Sequence, residues 1–324
     1  MNASEHYRVL KRELEVNNCF KNQSSYIPKF LLVSLLFITS YFMIFFSLES
    51  DTKFLGVLGI AFTSIQSAFL AHEAGDGSVT KNKNLRSLIP QFYMTFLSGL
   101  SFSYFMELHK IHHNSMTKGS KFNGKPENKY EIKAIKKFVS FSPTLFMFAT
   151  ILLRGFTLKA EGINFLMRNR NFKMDLLFLM GHLILWMAPS LYIGWIPTLI
   201  IYSLVTLFGG FYAGLVLIVN HAGMATSIDV KDLPFIERIG TKTRNLPSNL
   251  ISDILWGGIN NHIEHHLYPS IPSSNLGKAR KIVKNYFLKN NLPYRESSFL
   301  YAIKEARIYF TSLTPEERIL EPLN

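Results

Sequence analysis

The chain has 324 residues, of which 48% are apolar, 14% are aromatic and only 18% are charged. This composition excludes a disordered chain and a collagen, and the single cysteine, Cys19, excludes an internal disulfide framework or a cysteine-rich metal site. The formal net charge is +13, and in so apolar a chain this positive charge favours a membrane surface as the partner. We therefore predict a multispanning membrane protein that binds no nucleic acid.

Three uncharged stretches are long enough to cross a bilayer: Phe30–Leu48, Phe54–Ala71 and Leu176–Val219. A single crossing needs about 20 residues, whereas the third stretch has 44. Pro189 and Pro197 interrupt its middle, so we predict two helices joined by a turn. The sequence thus predicts four transmembrane helices arranged as two hairpins.

Two other apolar segments are ambiguous, Ser87–Met106 and Phe138–Leu153. The first contains Pro90, and the second has only 16 residues. The histidines described below must lie on one side of the membrane to share a site, and this requires that neither segment crosses. We predict that both are interfacial or re-entrant helices.

Basic residues are concentrated outside the hairpins. Residues 81–137 contain eleven Lys and Arg against three Asp and Glu, which by the positive-inside rule predicts a cytoplasmic location for this segment and for both termini. We expect an all-α protein with a cytoplasmic N-terminal segment at 1–29, a membrane domain at 30–290 and a cytoplasmic tail at 291–324. Residues after 222 would form a cytoplasmic helical cap that carries the metal site. Without a signal peptide or organelle motif, the expected membrane is the bacterial inner membrane, with the endoplasmic reticulum as the alternative.

Eight of the ten histidines lie in four short clusters. The pattern HxxHH occurs twice, and on a helix its three imidazoles share one face. An Asp four residues after the first clustered histidine faces the same way as that histidine. The clustered residues are His72 with Asp76; His109, His112 and His113; His221; and His262, His265 and His266.

These side chains predict a metal centre. Neutral imidazole suits iron, copper, zinc and nickel, and carboxylates are acceptable partners. Eight histidines and a carboxylate exceed what one ion can hold, so two ions fit better. Asp76 could instead end its helix beside Gly75, but we favour a ligand. His182, inside the third apolar stretch, is predicted to be a hydrogen-bonded packing residue.

The last cluster lies in the segment WGGINNHIEHHLYP, Trp256–Pro269, which is similar to the pattern GGxNxHxEHHLxP. The segment HKIHHN fits a second histidine box, and HEAGDGS resembles the usual first box, HxAGHGS. In the order and spacing of these boxes, residues 55–290 resemble the membrane-bound fatty acid desaturases, in particular their acyl-lipid branch.

The resemblance implies two iron ions, cycling between Fe²⁺ and Fe³⁺, with O₂ as the co-substrate. It implies that a double bond is introduced into an acyl chain, most simply one linked to a lipid. Carried over by position, the ligands are His72, His109, His112, His113, His221, His262, His265 and His266. Asp76 stands where the family has histidine, and our hypothesis is that it is a working ligand.

Other functions stay open on the sequence alone. A hydroxylase, or another oxidation of an alkyl chain, would use the same centre. A zinc-dependent membrane hydrolase needs only three or four ligands, and a metal-binding receptor would not turn over. The sequence has neither a His-Pro-Gly-Gly haem motif nor a GxGxxG fingerprint. We therefore expect electrons to come from an external donor such as a ferredoxin or a cytochrome.

Overall fold

The computed structural model describes residues 3–21, 26–118, 142–169, 172–225, 230 and 232–313. These residues form helices and no strand, apart from one isolated parallel bridge between Asn245 and Glu296. The predicted all-α class is confirmed. In chain order the helices are α1 Ala3–Val16, α2 Tyr26–Phe46, α3 Ser50–Gly75, α4 Lys83–Pro90, a π-helix Gln91–Leu97, α5 Phe102–Lys118, α6 Pro143–Arg168, α7 Lys173–Met187, α8 Ser190–Ile193, α9 Trp195–His221, α10 Phe235–Lys242, α11 Leu250–Leu255, α12 His262–Leu267, α13 Ser273–Lys289 and α14 Phe299–Ser312.

The chain forms two compact units. The membrane unit consists of Asn22–Leu108 and Leu152–Gly214. The histidine unit consists of Met1–Lys21, His109–Ile151 and Leu215–Asn324. The sequence-based division at residues 29 and 290 stays a prediction.

Within the described residues, four helical segments are long and apolar enough to cross a membrane: Tyr26–Phe46, Ser50–Gly75, Lys173–Ile193 and Trp195–His221. They confirm the four predicted spans. Only Gly194 separates the third segment from the fourth. Its φ of +89° lets the chain turn there, in a conformation that would strain a residue with a side chain. The proline-interrupted turn therefore lies where the sequence placed it.

The segment Ser87–Met106 is not a single helix and is not among the four spans. Its first half continues from α4 into the π-helix, the backbone leaves the helix between Ser98 and Ser101, and α5 then begins. Gly99 lies in this break with φ +68°, and a Cβ there would lie 2.4 Å from His182 Nε2. The break therefore needs glycine both for its backbone conformation and for space.

Residues 138–141 of the other ambiguous segment lie outside the described residues. Residues 143–153 belong to α6, which has 26 residues and extends well beyond the predicted end at Leu153. This helix is not one of the four spans. Arg154, Lys159 and Glu161 interrupt its apolar sequence, which explains why hydropathy alone underestimated its length.

A buried carboxylate holds the start of α5 in the membrane unit. Asp175 is only 1% exposed. It accepts hydrogen bonds from Gln91 Nε2 at 2.6 Å, from Ser101 Oγ at 2.7 Å and from both the backbone N–H and the hydroxyl of Ser103. N–H groups in the first turn of a helix have no acceptor within that helix. Asp175 supplies the acceptor for the Ser103 N–H of α5.

The histidine unit has two apolar cores. In one, Leu10 and Leu14 of α1 pack with Val283 and Phe287 of α13. In the other, the end of α9 packs against Ala302, Ala306 and Phe310 of α14. Packing on both sides of the histidine-bearing segments fixes their backbones.

The candidate metal centre

Four histidines from three helices converge in the histidine unit. His112 comes from α5, His221 is the last residue of α9, and α12 supplies His262 and His266. The Nε2 atoms are 2.6 Å apart between His262 and His221, 3.0 Å between His266 and His262, and 3.2 Å between His112 and His266. Four imidazole nitrogens thus point at one small region.

This arrangement fits a metal ion. Ligand atoms bound at about 2.1 Å, the usual metal–imidazole distance, lie about 3.0 Å apart when they are at right angles. Two neutral imidazole nitrogens in contact can share at most one proton. Four converging Nε2 atoms therefore leave lone pairs that other rings cannot fill and that a metal ion can accept. Burial, and then the neighbouring histidines, lower the pKa of His112 and of His266 well below the usual range. Both rings are therefore neutral at pH 7, as a metal ligand must be.

Three more predicted ligands surround these four. The rings of His109 and His113 are 4.3 Å apart, and His265 lies 5.3 Å from His113 and 6.0 Å from His109. His113 also lies 4.6 Å from His266. The histidine unit therefore brings seven of the nine predicted site residues together.

The remaining two site residues form a pair in the membrane unit. His72 lies in the last turn of α3, Asp76 follows that helix, and His72 Nε2 is 3.4 Å from Asp76 Oδ2. Both side chains are about nine-tenths buried. The pair thus offers one nitrogen and one carboxylate oxygen on the same side, as the four-residue spacing predicted.

A backbone carbonyl sets the protonation of His221. Its Nδ1 is 3.2 Å from the carbonyl oxygen of Lys242. A carbonyl can only accept, so Nδ1 carries the proton and the Nε2 lone pair is left for a metal. The end of α10 therefore orients this ring.

A buried polar group that sequence analysis missed supports α12. Asn245 accepts a hydrogen bond from the backbone N–H of Ile263, and its Nδ2 donates to Glu264 Oε2 at 2.8 Å. The Tyr294 hydroxyl donates to the other oxygen of Glu264, also at 2.8 Å. Burial raises the pKa of Glu264, and these two donors counteract it. Neither Asn245 nor Tyr294 lies in a motif, so the sequence held no signal for these two residues.

An arginine fixes the chain just after His221. Arg244 is fully buried, donates to the carbonyl of Ala222 and pairs with Glu305 of α14. Glu305 also pairs with Arg295. The C-terminal helix is thereby tied to the segment that carries His221.

His182 is hydrogen-bonded at both nitrogens, as predicted. In the membrane unit its Nδ1 lies 2.7 Å from the Phe96 carbonyl, and Nε2 lies 3.0 Å from the Tyr202 hydroxyl. Lys159 donates to that hydroxyl and to the Ser98 carbonyl, each at 2.9 Å. These bonds give hydrogen-bond donors to the carbonyls of Phe96 and Ser98 at the end of the π-helix. The role of His182 is therefore structural.

Comparison with known proteins identifies the family. The family model described as fatty acid desaturase matches residues 53–298. The chain is 28% identical over 261 residues to the Delta(6)-fatty-acid desaturase fat-3 of Caenorhabditis elegans, a match that covers 71% of this chain and 57% of that protein. It is 24% identical to the Delta(8)-fatty-acid desaturase of Euglena gracilis, over 90% of this chain and 75% of that protein. It is also 23% identical to the Delta 8-(E)-sphingolipid desaturase of Emericella nidulans, over 97% of this chain and 63% of that protein.

The chain belongs to the fatty acid desaturase family, because the family model covers most of its length. This confirms the resemblance found in the histidine boxes. The chain spans little more than half of the nematode relative.

Proposed function

We propose that this protein is a membrane di-iron oxidase that introduces a double bond into an acyl chain, most simply a lipid-linked one. The observation that carries the proposal is the convergence of four imidazole Nε2 atoms, with successive separations of 2.6 to 3.2 Å, in a chain of the desaturase family. The relatives that are named as desaturases of fatty acids and of a sphingolipid support the acyl substrate.

The donor set supports two ions. His112, His221, His262 and His266 would hold one of them. Within the histidine unit, His109, His113 and His265 are the candidate ligands of the second ion. His72 and Asp76 stay ligands predicted from the sequence. Nitrogen and carboxylate donors suit iron, and no thiolate is among them.

The chemistry explains why a metal is needed. Converting –CH₂–CH₂– to –CH=CH– with O₂ consumes two electrons and two protons and releases two waters. An alkyl C–H bond offers no proton that an ordinary base can remove, so bound iron would supply the oxidising power from O₂. The chain's own residues hold the histidines neutral and in fixed orientations, as Lys242 does for His221.

Electrons must arrive from outside. We propose an acidic ferredoxin or cytochrome that docks on a basic face, because the chain carries 35 Lys and Arg against 22 Asp and Glu. The same charge supports a cytoplasmic location of the metal centre. Which membrane holds the protein stays a prediction.

The test is product analysis. The protein is expressed with iron in a host whose lipids are saturated or monounsaturated, and total acyl chains are analysed by mass spectrometry with double-bond localisation. We expect a new double bond that requires O₂ and disappears in a His262→Ala variant that retains its helical circular dichroism. The control is His182→Gln, which lies in the membrane unit and should retain product.

Two outcomes would contradict the proposal. One is a hydroxylated chain in place of an alkene, which would assign the centre to hydroxylation. The other is the absence of any new lipid when the folded, iron-loaded protein is supplied with reductant and O₂.

A further inference from the structure

An exposed apolar patch lies on the histidine unit, outside the four spans. It consists of Leu250, Ile251, Leu300, Tyr301 and Ile308, whose exposed fractions range from 49% to 79%. The two helices that carry it are joined by an edge-to-face contact between the rings of Trp256 and Phe299, with centroids 5.4 Å apart. We call these five residues the C-terminal apolar patch. Exposed apolar side chains grouped on neighbouring helices are typical of a binding surface.

The two faces of α14 differ in chemistry. Ala302, Ala306 and Phe310 are buried in the core of the histidine unit. Positions 300, 304, 307 and 308 share the opposite face, since they follow the i, i+4, i+7, i+8 spacing of a helix. Leu300 and Ile308 therefore lie beside the exposed cations Lys304 and Arg307.

The acidic residues of these two helices are turned away from this face. Glu305, the single acid of α14, is paired with Arg244 and Arg295. Asp253 of α11 accepts hydrogen bonds from Ser248 and Asn260. Among the residues that the structure describes, no ion pair joins Lys304 or Arg307 to an acid, so the patch combines apolar side chains with positive charge.

We propose that the C-terminal apolar patch inserts into the interfacial region of a bilayer that contains anionic phospholipid. Apolar side chains flanked by Lys and Arg are what an in-plane helix uses at a membrane surface, where the apolar face enters the headgroup boundary and the cations stay with the phosphates. A protein partner would have to place acidic side chains opposite Lys304 and Arg307. An anionic lipid surface presents phosphate groups there without any such requirement.

The first experiment measures insertion. Trp186, Trp195 and Trp256 are replaced by Phe, and one tryptophan is introduced by Leu300→Trp in the patch or by Leu288→Trp as the matched control. Leu288 is an exposed leucine of the same unit on α13. Each variant is reconstituted in nanodiscs of equimolar phosphatidylcholine and phosphatidylglycerol, with either ordinary or brominated acyl chains.

Brominated chains should quench the Leu300→Trp variant about twofold or more and the Leu288→Trp variant markedly less, because contact quenching requires the ring to enter the acyl region. Equal quenching of the two variants, or none at Leu300→Trp, overturns the proposal. A blue shift at Leu300→Trp without quenching also overturns it, since a protein surface would then cover the patch.

The second experiment tests the charge. In the Leu300→Trp background, quenching is compared between pure phosphatidylcholine and the phosphatidylglycerol mixture. Lys304→Gln with Arg307→Gln should abolish the gain from anionic lipid, while the control Lys281→Gln with Lys289→Gln, which removes equal charge from α13, should keep it. Equal loss in both variants contradicts the proposal. Neither readout depends on bound iron or turnover, so this proposal and the proposed function fail separately.

Discussion

Asp76 is the residue at which this chain departs from the first histidine box of the family that it resembles. Its carboxylate lies 3.4 Å from His72 Nε2 and is largely buried. A buried carboxylate needs a cation or strong donors to stay ionised, and a bound metal is such a cation. His72 is a partner that the structure shows for this carboxylate, and the hypothesis that Asp76 binds iron stays a prediction.

The prediction is that Asp76→Ala lowers the iron content by about one ion per chain and the desaturation rate about tenfold or more, while Asp76→His retains both. A ligand lost from a buried site typically costs at least as much as its supporting contacts, about 10- to 100-fold. Iron is counted by elemental mass spectrometry and product by lipid analysis. Full iron and full product in Asp76→Ala would show that Asp76 only ends α3.

A second residue-scale prediction concerns Tyr294. Tyr294→Phe removes the hydroxyl that donates to Glu264 and should lower the free energy of unfolding by roughly 1 to 2 kcal/mol, because it leaves a buried carboxylate oxygen short of a donor. Iron affinity should fall along with stability. Tyr301→Phe is the control, since Tyr301 is exposed. Thermal unfolding in detergent measures the change, and equal midpoints for the two variants would refute it.

At the scale of helices, the sequence predicted what depends on local pattern. Continuous apolar runs predicted the four spans, and the i, i+3, i+4 spacing predicted which imidazoles share a face. The break at Gly99 and the π-helix escaped prediction, because they depend on contacts with residues far along the chain. The full length of α6 escaped it because charged residues interrupt the apolar sequence of that helix. Asn245 illustrates the same limit, since its partner Tyr294 lies 49 residues away.

Asp175 provides the prediction at this scale. Asp175→Ala should destabilise the protein by roughly 2 to 4 kcal/mol, because it leaves the buried donors of Gln91, Ser101 and Ser103 without their acceptor. α5, whose start Asp175 holds, carries three of the predicted ligands, so iron content should fall as well. The measurements are the thermal midpoint and iron per chain.

Asp51→Ala is the matched control for this variant, because Asp51 lies in the first turn of α3 and is exposed. It should change the free energy of unfolding by less than about 0.5 kcal/mol. An Asp175→Ala protein that is as stable as the Asp51→Ala protein would mean that water replaces the carboxylate.

For the whole molecule, burial lowers the pKa of Lys159 to about 7. The folded state then binds fewer protons than the unfolded state between that pKa and about 10.4, the ordinary lysine value. The free energy of unfolding therefore rises with pH across this interval, by up to about 1.4 kcal/mol per unit for this one group. Thermal midpoints between pH 7 and 9 should rise, and Lys159→Met should flatten that rise. If the thermal midpoint of Lys159→Met rises with pH as steeply as that of the wild type, the Lys159 ammonium is solvated and the prediction is wrong.

The most direct test of the central claim is the metal content of the purified wild-type protein, isolated in mild detergent from cells supplied with iron. The nine predicted ligands predict about two irons per chain. Changing both His112 and His221 to Ala should remove the ion that these two residues would hold and leave about one iron per chain. Zinc in place of iron, or no metal in protein whose helical spectrum shows that it is folded, would contradict a di-iron oxidase.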